Sequence, residues 1–160
     1  MATDIVIRPA GKADLSAIAA LWRDLGWMNW IGQKDPAQVE SVMAQRLAED
    51  QADDSHLVLV AEDGDGEMLA YTAMHFLPYF MMPGPEAYVS ELFVTAAARG
   101  RGVGQLLLKH LENLAQERGC CRMMLLNGRD RESYLQGFYK KQGWQERTHI
   151  ANFVRNLMEY

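Results

Sequence analysis

Apolar residues recur at steps of three and four along Leu15, Ile18, Leu21, Trp22 and Leu25, a spacing that predicts an amphipathic helix. Asp14 stands where its cap belongs, and Gly26 stands where it should stop. Asp35-Pro36 predicts a second helix start, a cap followed by proline, with Val39, Met43 and Leu47 as the apolar face. Ile5–Arg8 is a short strand before these helices, closed by Pro9. His56–Glu62 and Glu67–Leu77 read as strands joined by the turn Asp63-Gly64-Asp65-Gly66. A proline-rich loop over Leu77–Pro85 leads to a strand over Ala87–Val94. A helix follows from about Gly102 to Arg118, with Leu107, Leu111 and Leu114 on one face and Gly119 as its stop. Cys121–Asn127 reads as a strand buried on both faces. Ser133–Gln142 reads as a helix capped by Ser133, and His149–Leu157 as a last strand. The order β α α β β β α β α β predicts one α/β (α+β) domain over residues 1–160. Its sheet should be mixed and twisted, with about six to seven strands flanked by about four helices.

Composition narrows the function. Of the 160 residues, 49% are apolar and 23% charged, an ordinary globular balance. A net charge of -5 lacks the basic footprint of a nucleic-acid binder, and it does not disfavour a cationic small substrate. The two cysteines, Cys120 and Cys121, are adjacent, which disfavours a disulfide between them and leaves no zinc cluster. A reduced, cytoplasmic protein without a metal site is expected. Met1-Ala2-Thr3-Asp4 begins no basic region followed by an apolar run, so no secretory signal is expected. With no run of 18 apolar residues, no membrane span is expected either.

The stretch Glu91–Leu108 carries the most chemistry. A strand enters the loop Arg99-Gly100-Arg101-Gly102-Val103-Gly104, and that loop opens a helix. Free amides and the helix dipole favour an anion at such a place. Glycines let a phosphate approach the backbone without meeting a Cβ, and Arg99 and Arg101 add charge and forked donors. A Walker loop is excluded because G-x-x-x-x-G-K-[ST] is absent. The dinucleotide fingerprint fails because Gln105 stands where its third glycine belongs.

Arg99-x-x-Gly102-x-Gly104, after Glu91-Leu92-Phe93-Val94 and before Leu106-Leu107, resembles the acetyl-CoA-binding motif of the GNAT family of N-acetyltransferases. Phe138-Tyr139-Lys140-Lys141-Gln142-Gly143-Trp144 resembles that family's second signature, and the element order is similar along nearly the whole chain. The resemblance implies acetyl-CoA as co-substrate. It implies that backbone groups of Leu92, Phe93 and Val94 pair with the pantetheine arm. Amides of Arg99, Gly100, Arg101, Gly102, Val103 and Gly104, with Gln105, would hold the pyrophosphate, and Tyr139 would lie near the thioester sulfur. Glu132 stands where the family often has Asn, and Asn127 is the substitute at hand for contacting the cofactor.

Acyl transfer to an amine requires removing a proton from an ammonium group, whose pKa is near 10.4, and returning one to a leaving thiolate. Glu91 is the candidate base. Strand alternation sets it on a face with Val89 and Phe93, where a carboxylate is unusual unless paired or used. A structural ion pair or an exposed edge is the competing role. His75 on the strand before is a rival base or substrate contact. Tyr139 is the candidate acid, with a packed aromatic as its competing role. Trp27 and Trp30 in the loop after the first helix, and Tyr79 before the Glu91 strand, are expected to line the acceptor pocket, or to serve as core plugs or a homodimer contact. The function expected is acetyl transfer to a primary amine of a small molecule by direct attack in a ternary complex. Competing readings are another acyl group, a protein N-terminus or lysine as acceptor, a CoA-binding sensor without turnover, and a nucleotide-binding regulator.

Overall fold

The computed structural model describes residues 4–158, so Met1 to Thr3 of the amino-terminal stretch and the last two residues lie outside the description. The chain divides into two compact units, Met1–Leu125 and Leu126–Tyr160.

The first unit is built on five strands: β1 (Val6–Pro9), β2 (His56–Glu62), β3 (Met68–Leu77), β4 (Glu86–Val94) and β5 (Arg122–Leu125). They lie side by side in chain order. The first three pairings are antiparallel and β4 with β5 is parallel, which makes the sheet mixed as expected. Helices α1 (Leu15–Leu25), α2 (Asn29–Gln33), α3 (Pro36–Asp50) and α4 (Val103–Glu117) complete it. Strand alternation divides the core. Val60 and Tyr71 pack with Leu15, Ile18 and Leu21 of α1 and with Val39, Met43 and Leu47 of α3. Leu59, Met74 and Val89 point the other way, against Leu111 and Ala115 of α4. Val103 and Leu107 anchor the start of α4 on Ala61, Leu69 and Ala70. Each fully buried leucine of this kind contributes roughly 1.5–3 kcal/mol.

Gly26 ends α1 in the left-handed region at φ 65°, and the Asp35 carboxylate accepts from the Gln38 amide at 3.1 Å, as their positions predicted. Asp14 acts differently from the expected helix cap. Its carboxylate accepts from the Gly11 amide at 2.7 Å and from both Arg8 terminal nitrogens at 2.8 and 2.9 Å. Arg8 also reaches Glu62 on β2, so Asp14 ties β1, the turn after it and β2 together. The Arg8 guanidinium holds the Asp14 carboxyl below the usual carboxylate range.

In the second unit the single helix expected over 133–142 is two short ones, α5 (Glu132–Leu135) and α6 (Phe138–Lys141). Gly137, at φ 66°, breaks the ladder and caps α6. Ser133 lies inside α5 and not at its cap; its hydroxyl donates to Asn127 Oδ1 at 3.1 Å. The strand expected over His149–Leu157 does not form. No ladder includes that segment, and its Phe153, Val154 and Leu157 are exposed, so its apolar pattern has no sheet to complete. The sheet therefore has five strands where six to seven were expected. Residues 123–125 of β5 are half-buried, because a four-residue edge strand covers less than the run Cys121–Asn127 suggested.

Candidate active site

The glycine loop follows β4 and a short 3-10 turn over Ala96–Ala98. Gly100 and Gly102 take φ of 76° and 81°, a region that side chains rarely adopt. A Cβ at either position would meet nothing within 4 Å, so open space lies beside both. Gly102 caps α4, and the first bond of that helix runs from the Leu106 amide to the Gly102 carbonyl at 3.0 Å. The amides of Val103, Gly104 and Gln105 therefore precede the helical ladder and have no acceptor within it. Val103 and Gly104 are buried, while Arg99, Arg101 and Gln105 are exposed. A cradle of free amides beside open space, flanked by two arginines, fits a diphosphate.

Upstream, β4 and β5 pair only between Glu86–Val89 and Arg122–Leu125. Leu92, Phe93 and Val94 stay paired to β3 on one side, and no strand of the sheet pairs with them on the other. That edge offers backbone donors and acceptors to an extended ligand, as an added strand would be bound.

A bulge re-aims the strand at this point. The β3–β4 register shifts between Ala73 and Met74, so that Met74 faces Val89 and Ala73 faces Glu91, with Ser90 extra. Alternation had placed Glu91 on the face of Val89 and Phe93. In the structure Val89 packs toward α4, whereas Phe93 packs with the α1–α3 cluster. Glu91 shares the Phe93 side, where it accepts a hydrogen bond from the Tyr71 hydroxyl at 2.7 Å. The Tyr71 oxygen in turn accepts from Trp22 Nε1 on α1. Glu91 has no ion-pair partner among the described residues. Burial pushes its carboxyl pKa up, the Tyr71 bond pulls it down, and the Asp50 charge raises it further.

Aromatic side chains extend from the Tyr71 ring that holds this carboxylate. Trp27 stands edge-on to Phe93 with centroids 5.2 Å apart, and Phe93 lies 5.7 Å from Tyr71. Trp30 on α2 contacts Trp22 at 6.4 Å, which in turn contacts Tyr71 at 6.1 Å. His75 is one step removed: its Nε2 lies 2.9 Å from the Ser90 hydroxyl and its ring stacks on His56 at 5.3 Å. Burial, with His56 adding to it, holds the His75 pKa below the ordinary imidazole value. Tyr79 is not brought to this group. It follows the end of β3, beyond the Leu77–Glu86 pair at that end of the β3–β4 hairpin. Cys120 and Cys121 are free thiols before β5, and the Cys121 Sγ–H donates to the Gly84 carbonyl at 3.2 Å.

In the second unit Tyr139 is the second residue of α6. Its ring packs edge-on against Phe138 at 5.0 Å and Trp144 at 6.1 Å. Its hydroxyl has no hydrogen-bond partner among the described residues, and burial pushes its pKa up. Asn127 Nδ2 is buried and likewise lacks a partner, which leaves its amide N–H donors to be satisfied. No group of three or more His, Cys, Asp or Glu among the described residues is arranged to hold a metal. No helix of the described residues is long and apolar enough to cross a membrane.

Sequence reasoning missed Tyr71 and Trp22 as partners of Glu91. Tyr71 sits in the apolar run Leu69–Met74, where a phenol that must satisfy its hydroxyl is the available signal.

Comparison with known proteins places the chain among acetyltransferases. The chain is 35% identical over 146 residues to glucosamine 6-phosphate N-acetyltransferase 1 of Oryza sativa subsp. japonica, covering 89% of this chain and 82% of the relative. It is 27% identical over 117 residues to aminoglycoside N(6')-acetyltransferase type 1 of Klebsiella aerogenes, covering 72% of this chain and 73% of that one. The crystal structure of glucosamine-6-phosphate N-acetyltransferase from Arabidopsis thaliana shares the fold, with a TM-score of 0.76 at 18% identity over 97% of this chain and 99% of that one. The model of the acetyltransferase (GNAT) family matches residues 21–144, and the chain belongs to that family of acyltransferases.

Proposed function

We propose that residues 1–160 form one N-acetyltransferase domain that moves the acetyl group of acetyl-CoA to a primary amine of a small molecule, by direct attack in a ternary complex. The observation that carries this reading is the desolvated Glu91 carboxylate, held by Tyr71 beside the unpaired edge of β4. When bound, acetyl-CoA supplies an activated acyl carbonyl. The amides of Val103 to Gln105 and the side chains of Arg99 and Arg101 hold its diphosphate, and the free edge of Leu92–Val94 orders its arm. Asn127 supplies a further donor toward the cofactor. Glu91 takes the ammonium proton, and Tyr139 returns one to the leaving sulfur. Trp27 and Trp30 line the acceptor's apolar part, with His75 at its border. Both free thiols lie at the Glu86 end of β4 and not beside Glu91, which supports direct attack over a covalent acyl-cysteine. The small-molecule acceptor is supported by the two relatives, whose names specify a sugar amine and an aminoglycoside amine.

A panel of amino sugars, aminoglycosides, polyamines, arylalkylamines and lysine peptides, read by release of free CoA thiol, tests the assignment. Turnover with a small amine is the expected result. Turnover confined to peptides would transfer the role to protein acetylation, and CoA binding without turnover on any amine would make the chain a sensor.

Gly102→Val is expected to abolish measurable CoA binding. Its Cβ meets no protein atom, so the added atoms occupy the open space beside the loop. The strain of a β-branched residue at φ 81° costs about 1–3 kcal/mol, which a domain with this core should survive. Calorimetry with CoA, beside circular dichroism of the variant, checks this. Unchanged affinity in a folded variant would remove the loop from the cofactor site.

A further inference from the structure

The Glu91 carboxylate does not stand alone. Tyr71 lies on β3 and is 1% exposed, so its hydroxyl can be satisfied only by protein groups. It has two. Trp22 Nε1, an obligatory donor on α1, gives it a hydrogen bond, and it gives its own proton to Glu91 Oε2 at 2.7 Å. Because the indole can only donate, the phenol oxygen must accept from it, and its one proton is directed at the carboxylate. The direction of the whole chain is therefore fixed by residue type. An edge-on ring contact at 6.1 Å between Trp22 and Tyr71, and a tilted one at 5.7 Å between Tyr71 and Phe93, hold the two donors in place.

We infer that Trp22 and Tyr71 form a positioning relay, Trp22 Nε1–H to Tyr71 Oη–H to Glu91 Oε2, which holds the base by one oxygen and leaves Oε1 for the acceptor. The inference rests on Glu91 being the base. Oε1 accepts no hydrogen bond from another described residue. A carboxylate pinned at one oxygen keeps its other in a fixed place, so the amine meets a preset acceptor. The bulge at Ser90 is what brings Glu91 to this face. Without it, alternation would point position 91 toward α4, away from both donors.

The relay also sets where the base titrates. A donor to the ionised carboxylate favours that form, so its loss raises the pKa of Glu91. Other charged and titratable groups act on the same site. Asp50, at the end of α3, raises the Glu91 pKa. On the sheet itself stand His75 of β3, which touches Ser90, and Tyr88 of β4, whose hydroxyl pKa burial pushes up, with the Glu91 charge adding to it. None of these donates to Glu91, so removing the phenol hydroxyl isolates the relay.

The experiment is the pH profile of kcat/KM for the best amine, in the wild type and in Tyr71→Phe, Trp22→Phe and Glu91→Gln, with CoA affinity measured for each. In wild type, activity falls as pH drops through the Glu91 pKa. Tyr71→Phe is expected to shift that acid limb upward by about half a unit to one unit, with CoA affinity unchanged. Trp22→Phe, which only weakens the phenol as a donor, should shift it in the same direction by less. Glu91→Gln should remove the limb at that pH and leave only the rise that follows the free amine, whose pKa is about 10.4. If Glu91→Gln removes it while Tyr71→Phe and Trp22→Phe leave it at the wild-type pH, the relay is overturned and Glu91 stands. If the limb survives Glu91→Gln, the base assignment falls and the relay falls with it. Should Tyr71→Phe fail to fold, the Trp22→Phe shift decides alone.

Discussion

Glu91→Gln is expected to lower kcat/KM for the amine by about a hundredfold or more near neutral pH, and by far less near pH 10. A primary amine acceptor, as proposed, is an ammonium ion with a pKa near 10.4, so at neutral pH almost none of it carries a free lone pair. A base must remove that proton, and a carboxylate with an ordinary pKa does so poorly. Burial of Glu91 raises its pKa and narrows the gap, while the Tyr71 hydrogen bond keeps the ionised form accessible. The sign follows: the base exists above the raised pKa and is lost as pH falls through it. At high pH the amine deprotonates without help, and the variant should approach the wild type. Glutamine keeps the side chain's size and can still accept the Tyr71 bond, so folding should survive. Stopped-time assays of thiol release across pH 6 to roughly 10 check this. A loss of the same size at every pH would assign Glu91 a structural part.

Much of the fold was legible because local signals and burial agree. Gly26 and Asp35-Pro36 mark helix ends that the structure places as expected, and the Asp63–Gly66 turn lies between β2 and β3. Other elements depended on partners that no local pattern reveals. The alternation of His149–Leu157 satisfies the rule for a strand, yet a strand exists only where a ladder receives it. Asp14 has the residue type of a cap, but the fork of Arg8 offers its carboxylate a stronger, charge-assisted partner.

The site divides in the same way. The glycine loop could be read directly, since positive φ at Gly100 and Gly102 is a demand on residue type. Which way Glu91 points could not, because a bulge of one residue reverses every face assignment beyond it. Ser90-Glu91, two polar residues in succession within an alternating strand, is the trace that the bulge leaves in the sequence. Tyr71 is harder still. Its role comes from a register between β3 and β4 and from the packing of α1, neither of which has a local signature.

Tyr139→Phe is expected to lower kcat by about a hundredfold with the acceptor KM unchanged. The substitution removes one oxygen from a ring packed against Phe138 and Trp144. That oxygen has no hydrogen bond among the described residues, so its loss costs the fold little. Burial raises the phenol pKa, which keeps the hydroxyl protonated at every working pH. The same burial makes it a weaker acid toward a thiolate of pKa about 8.5, and each unit of mismatch costs about 1.4 kcal/mol. The partial burial works against this mismatch, because it also disfavours an unprotonated thiolate leaving beside the hydroxyl. The proton is needed only as the carbon–sulfur bond breaks, so the loss belongs in kcat. An acetyl thioester of a more acidic thiol leaves without a proton. It should restore the variant by a larger factor than it accelerates the wild type. A space-filling tyrosine would instead give a loss of less than about threefold, and the acidic leaving group would then accelerate both enzymes alike.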